Sequence, residues 1–318
     1  MRKMIVTGGA GFIGSHLVDY LMKANYEVIV IDNLSSGRME NIERWLSNER
    51  FTFHKLDLVN FDDILDVFSG VDVVFHYAAN SEVRIGSQRP DEIWRNNLVT
   101  TYNVLEAMRL KNVKYIVFAS SSTVYGDQVN IPTPESSKLE PISIYGASKL
   151  AGEALISGYS HTFKIKALIL RYANIIGSRL RHGVIYDFIM KLKKNPNRLE
   201  ILGDGTQRKS YLHISDAVEA TMFAFEKFVA SGKLVEVFNV GNEDWITVKE
   251  IAEIVSSTMG LKPEFYFTGG VEGGRGWVGD VKLMLLDITK LRKMGWKPKL
   301  NSRGAIEKAT KEILEEIG

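Results

Sequence analysis

Residues 7–17 read TGGAGFIGSHL and set Gly8, Gly11 and Gly14 between a β-branched run, residues 3–7, and a helical pattern over residues 12–23. At such a junction glycines meet three needs: a tight turn, a close approach of backbone to a pyrophosphate, and a helix packed hard on the sheet. The first turn of the helix also presents unpaired N–H groups to phosphate oxygens. The next run, VIVIDNLSSG, ends on Asp32, 18 residues beyond Gly14. A carboxylate there accepts from both hydroxyls of an adenosine ribose and repels a 2′-phosphate, which favours NAD over NADP. Strand, glycine turn, helix, strand and terminal acid, in that order, predict a dinucleotide-binding βαβ unit.

The rhythm continues outward. Short runs rich in Val, Ile, Leu or Phe recur at residues 27–32, 52–56, 72–76, 115–119 and 166–171, as strands buried on both faces should. Helical patterns at 61–68, 91–110 and 143–162 alternate with them, so the predicted fold class is α/β, a Rossmann-type doubly wound parallel sheet. Pro90, Pro132, Pro134 and Pro141 fall in the predicted loops. Beyond residue 171 the pattern loosens into helices at 184–194, 216–228 and 248–259 and strands at 199–202, 236–240 and 264–267. Glycines cluster over 269–279, and Ile306, Ala309, Ile313 and Ile317 mark a C-terminal helix. We expect an NAD-binding domain over residues 1–173, with a later return of the chain near 210–245, and a smaller C-terminal α/β substrate-binding lobe over 174–318.

Composition narrows the function. Apolar residues at 45% and charged residues at 25% of 318 are globular values, which argues against a disordered chain or a membrane bundle. Forty basic against thirty-eight acidic residues give a net charge of +2, too little for a nucleic-acid partner. Phosphate binding must therefore be local. Cysteine is absent, which removes disulfides, iron–sulfur clusters and thiol nucleophiles, and the six histidines lack metal-ligand spacing, so no metal is expected. The apolar run MIVTGG is too short for a signal peptide, and no run approaches the ~18 residues of a membrane span, so the expectation is a cytoplasmic protein.

PISIYGASKLAGE, residues 141–153, places Tyr145 and Lys149 four apart on a predicted helix and so on one face. A tyrosine is a poor base at neutral pH, but a nearby ammonium and a cationic nicotinamide favour its phenolate. Lys149 can also hydrogen-bond the cofactor ribose. VFASSSTVYGD follows the fifth strand, at the end where open parallel sheets place their sites. Within it Ser121 is the best candidate to hold a reacting hydroxyl beside Tyr145, with Ser120, Ser122 and Thr123 as neighbours.

The spacing GxxGxxG, with these motifs, resembles the extended short-chain dehydrogenase/reductase family along nearly the whole chain. FHYAANSEV, KLDLVN and NNLVTTYNVLEA are similar to its cofactor segments. That resemblance implies NAD contacts from Phe12, Ile13, Asn33, Leu34, Ser35, Ser36, Gly37, Asp57, Leu58, Tyr77, Ala78, Ala79 and Ser120. It also implies that Asn97 supports the active-site backbone and that Ala173 lies against the nicotinamide. LRYANIIG, GVIYDFIMKL, LGDGTQRKSYLHISD and GRGWVGD are similar to segments that close over a nucleoside diphosphate, which implies substrate contacts from Asn174, Val184, Arg208, Arg275 and Asp280. The spacing between Arg275 and Asp280 is longer than the family's common form by Trp277 and Val278. Relatives that dehydrate their sugar carry an Asp–Glu pair where Ser122 and Thr123 stand, so dehydration is disfavoured.

The likeness is closest to the nucleotide-sugar 4-epimerases of the short archaeal and bacterial type. It implies interconversion of UDP-glucose and UDP-galactose through a 4-keto sugar, and a homodimer through a four-helix interface built from residues 91–110 and 143–162. Three alternatives stay open: action on a UDP-N-acetylhexosamine, action on UDP-glucuronate with Arg84 as the cation for its carboxylate, and a non-enzymatic NAD-binding regulator.

Overall fold

The structure is a computed structural model and describes residues 2–318. In chain order its first part runs β1 (Lys3–Thr7), α1 (Phe12–Lys23), β2 (Glu27–Ile31), β3 (Phe51–His54), α2 (Phe61–Ile64), β4 (Val73–His76), α3 (Pro90–Ile93), α4 (Thr100–Leu110), β5 (Tyr115–Ser121), α5 (Ile144–Phe163) and β6 (Lys166–Tyr172). It continues β7 (Asn174–Ile176), α6 (Val184–Lys194), β8 (Arg198–Ile201), β9 (Arg208–Lys209), β10 (Tyr211–His213), α7 (Ile214–Ser231), β11 (Val235–Val240) and β12 (Ile246–Thr247). The last elements are α8 (Val248–Thr258), β13 (Glu264–Phe267), β14 (Leu283–Met284), α9 (Thr289–Lys293) and α10 (Ser302–Ile317). Among the described residues no helix is long and apolar enough to cross a membrane.

Two compact units divide the chain: residues 1–124, 143–171 and 221–238 in the first, and 125–142, 172–220 and 239–318 in the second. The segment 125–142 thus groups with the second unit, although the sequence reading put it with the cofactor domain. Its anchors explain this: the Tyr125 hydroxyl donates to Asn239, and the Thr133 amide donates to the Leu285 carbonyl.

The first unit is built on a seven-stranded parallel sheet in the order β11-β6-β5-β4-β1-β2-β3. β1 pairs with β2 on one side and β4 on the other, so the strand order reverses at β1 and the chain leaves it beside a crevice at the carboxyl ends of the strands. β4 is buried at every residue, as the near-continuous apolar reading required. Helices α4 and α5 close over an apolar core of Val104, Leu105, Met108, Ile116, Phe118, Ile156 and Ile169.

The largest departure from expectation lies in 91–110, read as one α-helix. It is α3, a π-helical segment over Trp94–Val99, and α4. The hydroxyls of Thr100 and Thr101 donate to the carbonyls of Asn96 and Asn97 at 2.7 and 2.6 Å, competing with the amides for the acceptors of a regular turn. Pro90, expected in a loop, starts α3, where its missing N–H removes no helix bond. The pattern at 61–68 likewise splits into α2 and a 3-10 turn over Leu65–Phe68, and β5 runs on to Ser121.

The second unit holds three small sheets, β7 with β10, β9 between β12 and β14, and β8 with β13. α8 packs against both α6 and α10. A capping box starts α8: Thr247 accepts from the Glu250 amide at 3.1 Å and the Glu250 carboxylate accepts from the Thr247 amide at 2.9 Å.

Candidate active site

The glycine turn is fixed by contacts no other residue permits. Gly8 has φ +67°, and a Cβ there would fall 2.7 Å from the Ala78 nitrogen; a Cβ on Gly14 would fall 2.2 Å from the Gly8 carbonyl. Without side chains, the turn brings β1, the start of α1 and Ala78 into one tight cradle. That fits a dinucleotide, whose pyrophosphate needs bare backbone and a free helix N-terminus. Phe12 and Ile13 are half-buried at that terminus. Asp32 is buried, accepts from the amides of Ala10 at 3.0 Å and Leu34 at 2.8 Å, and has its pKa raised by desolvation. It therefore also braces the glycine turn, beyond the ribose contact read from sequence. Gly37 leaves room for it, since a Cβ would meet both carboxylate oxygens at 2.8 Å. Asn33 donates to Asp57 at 3.3 Å, Leu34 takes φ +61°, and Ser35 and Ser36 are exposed. Asp57 accepts from the Val59 amide at 3.0 Å, and Leu58 is core.

Tyr145, Lys149 and Ser121 come together. Ser143 caps α5 by accepting from the Gly146 amide at 3.1 Å, so the helix starts at Ile144, one residue before Tyr145. Lys149 is 4% exposed, donates to the Ala119 carbonyl at 2.8 Å, and lies 5.8 Å from the Tyr145 ring centre. Burial draws its pKa down to about 8, against the pull of the Glu153 carboxylate. Tyr145 is pushed up to about 12 by burial, and its hydrogen bond with Ser121 opposes the rise. Ser121 accepts from the amide and hydroxyl of Thr123 at 3.2 and 2.9 Å, which leaves its own proton for the phenol oxygen. Thr123 is therefore an orienting residue; Ser122 is half-buried beside it. Ser120, expected to meet cofactor, turns its hydroxyl onto Glu153.

Asn97 sits on the π-helical segment and clamps the strand exit: its carbonyl accepts from the Asn80 amide at 2.7 Å, and its amide donates to Asn80 O at 3.2 Å and Ser148 Oγ at 2.9 Å. Ser148 in turn donates to the Tyr145 carbonyl at 2.7 Å. His76 is a core residue. The Ala78 amide donates to Thr7 Oγ1, and Thr7 donates to His76 Nδ1 at 2.7 Å. Thr101 already donates to the Asn97 carbonyl, so His76 Nε2 carries the proton and donates to Thr101 at 3.0 Å. Burial, helped by the nearby Lys149 charge, depresses the imidazole to about 3 and keeps it neutral. This one-way chain joins the glycine cradle to Asn97. Tyr77 and Ala79 flank Ala78 and are half-buried. Arg84 pairs with Glu82 at 3.1 Å.

In the second unit Ala173 is buried and donates its amide to Val240 O at 2.8 Å, while Asn174 donates to Ser210 O at 3.2 Å. Val184 opens α6. Arg208 is exposed, 5.8 Å from the Trp245 ring centre. Arg275 forks onto Asp127 at 2.7 and 3.0 Å and also donates to the Asp280 carbonyl. Asp280 is buried, paired with Lys209 at 2.5 Å and accepting from the Gly276 amide at 3.2 Å. Arg275 and Asp280 are thus joined in one cluster with two residues the motifs did not single out, Asp127 and Lys209.

A glycine cradle on a reversing parallel sheet, with a tyrosine–lysine pair and a serine at the carboxyl ends of its strands, defines an NAD-dependent oxidoreductase-type site of the short-chain dehydrogenase kind. The chain belongs to the NAD dependent epimerase/dehydratase family, which matches residues 4–241. It is 36% identical over 311 residues to a putative UDP-glucose 4-epimerase of Methanocaldococcus jannaschii, 96% of each chain being covered. Among solved structures it is similar to a UDP-galactose 4-epimerase, with 48% identity, a TM-score of 0.90 and 100% of both chains covered. It is also similar to the UDP-N-acetylglucosamine 4-epimerase of Methanobrevibacter ruminantium M1, with 30% identity, a TM-score of 0.86 and 99% coverage of each. NAD is its cofactor.

Proposed function

We propose that the chain is a UDP-sugar 4-epimerase and that it interconverts UDP-glucose and UDP-galactose. The observation that carries the reading is the Ser121–Tyr145–Lys149 arrangement, which has a proton acceptor for one hydroxyl but no carboxylate at Ser122 or Thr123 to expel water. NAD, when bound, would supply the hydride acceptor and donor for carbon 4. Tyr145 as phenolate takes the proton of the 4-hydroxyl that Ser121 holds, and later returns it to the reduced carbon's oxygen. With Lys149 beside it the phenol is still pushed up to about 12 by burial, so the phenolate needs the positive charge of the nicotinamide, supplied when NAD is bound, as well as that of the lysine.

Inversion requires the 4-keto sugar to turn over between the two transfers. The nucleotide end is therefore gripped, by Arg208, Asn174, Arg275, Asp280 and the start of α6 at Val184, while the hexose end stays tolerant. Arg84 already has a carboxylate partner in Glu82, which weighs against a uronic sugar. We also propose a homodimer through α4 and α5: Trp94, Tyr102, Leu110 and Phe163 leave large apolar surfaces 45–59% exposed on that face.

Purified protein given UDP-galactose should form UDP-glucose with no net production of NADH, and Tyr145→Phe should abolish this while NAD stays bound. Conversion of N-acetylated or uronic substrates alone reassigns the sugar; no conversion of any sugar nucleotide favours an NAD-binding regulator.

A further inference from the structure

Behind the tyrosine–lysine pair lies a buried ion pair that the reaction as described does not use. Glu153 stands one helical turn beyond Lys149 and two beyond Tyr145, so the three share a face of α5. Its carboxylate is 5% exposed and accepts from Arg171 of β6 at 3.0, 3.2 and 2.7 Å and from the Ser120 hydroxyl. Arg171 is equally buried. A buried pair of this kind is weak evidence for stability, because desolvation offsets most of its attraction. Its place is more informative: Ser120 precedes Ser121 and follows Ala119, whose carbonyl holds Lys149.

We propose that Glu153 is a positioning residue of the active site, held by Arg171 and Ser120 so that its charge keeps Lys149 an ammonium beside Tyr145. This rests on the tyrosine–lysine reading above. Lys149 is enclosed by Tyr145 and Glu153 of its own helix, by His76 on β4, and by the Phe118 ring and the Ala119 carbonyl on β5, while Arg171 on β6 is forked onto the Glu153 carboxylate. Of these, His76 is neutral and the Tyr145 phenol is protonated at neutral pH, so Glu153 and Arg171 are the standing charges. They act oppositely on Lys149. Glu153, the nearer in sequence and the one on its own helix face, supports the ammonium that burial disfavours. A unit charge one helical turn away in a protein interior moves a pKa by about one to two units. That is enough to decide whether a lysine near 8 is charged at neutral pH. Ser120 and the fork of Arg171 fix the carboxylate so that this field does not average away.

The test reads Lys149 directly, in the full-length NAD-loaded protein, as the titrating 13Cε lysine resonance that vanishes in Lys149→Arg. Relative to the unsubstituted protein, Glu153→Gln should lower the titration by about one unit or more, since it removes the anion and unmasks Arg171. Arg171→Met should raise it. Opposite signs are the signature; a merely structural pair would leave the titration in place or move it the same way in both variants, and either result overturns the proposal. If neither single variant folds, Glu153→Leu with Arg171→Met removes both charges in matching apolar shapes; because Glu153 is the stronger of the two at Lys149, the titration should still fall, and one left unmoved or raised in that variant overturns the proposal. The alkaline limb of kcat for UDP-galactose conversion should follow the titration, with KM little changed. Opposite titration shifts with an immobile rate limb sink the assigned role of Lys149 in the reaction and leave the Glu153 proposal standing.

Discussion

Lys149, in the first unit, is buried and bonded to a main-chain carbonyl on the preceding strand, β5, whereas Arg275, in the second, is forked onto the exposed carboxylate of Asp127. Both are cations read as ligand contacts, yet one is held by regular secondary structure and the other by exchangeable side chains. Around Lys149 the partners sit on regular elements: Tyr145 and Glu153 on α5, Phe118 and Ala119 on β5 and His76 on β4, with Arg171 of β6 holding Glu153. Around Arg275 the partners come from a loop after β5, from Asp280 and from the two-residue strand β9 through Lys209. The contrast matches two tasks. Proton and hydride transfer need groups already in place, because reorganisation at the moment of reaction raises the barrier. Pyrophosphate binding can begin from an internal ion pair that the ligand then replaces.

Removing the rigid cation should have the largest effect. Lys149→Met is expected to lower kcat by about 10²- to 10⁴-fold with little change in KM, measured by coupled UDP-glucose formation. A large rise in KM with kcat retained would move Lys149 from chemistry to binding. The same residue makes a pH prediction. Its folded pKa lies near 8, below the usual 10.5, so between these values the unfolded chain binds more protons and this residue's contribution makes stability rise with pH. The urea stability of the unsubstituted protein, referred to that of Lys149→Met, should therefore increase from pH 8 towards pH 10.5; a decrease over that window would mean that the fold raises the lysine's pKa instead of lowering it.

Next in size is the chain through His76. His76→Leu keeps the apolar packing but leaves the buried Thr7 hydroxyl without its acceptor, while Thr101 still donates to Asn97, at a cost of roughly 1–3 kcal/mol in urea unfolding. Because the chain ends on Asn97 and starts at the glycine cradle, the variant should also retain NAD less tightly. A loss confined to stability would make the histidine a core residue only.

The same contrast governs what the sequence made legible. The glycine turn could be read because its strand, glycines and helix are contiguous, and α5 because its pattern and its Ser143 cap are. Tyr145, Lys149 and Ser121 were therefore visible together. The π-helical segment was not, since it depends on two threonine hydroxyls outbidding backbone amides for the carbonyls of Asn96 and Asn97. Glu153 and Arg171 lay inside the quoted motifs, but their pairing joins residues 18 apart on different elements, and only the fold brings them together. In the second unit the strands β9, β12 and β14 have two residues each, too short for any periodicity to show. The links of Arg275 to Asp127, 148 positions away, had no local signal at all.

Smaller again is the loss expected at Arg208, whose exposed guanidinium lies near Trp245. Arg208→Met should raise KM for the UDP-sugar by about 10- to 100-fold, the range of one charge-assisted phosphate contact, and leave kcat within a few-fold. A collapse of kcat at saturating substrate would instead mean that nucleotide anchoring is felt at the reacting carbon.

The smallest effect carries the sharpest sign. If Asp127 occupies the fork of Arg275 only until a phosphate takes it, then Asp127→Asn frees the guanidinium and lowers KM, by about 2- to 5-fold because the pair is partly exposed and weak. Arg275→Met should raise KM, and in the double variant the benefit of Asp127→Asn should vanish, since there is no longer a fork to release. Were Asp127→Asn to raise KM instead, the pair would be holding Arg275 in the orientation that the ligand needs. The second unit would then be as pre-set as the first, and the contrast between Lys149 and Arg275 would be one of exposure and not of task.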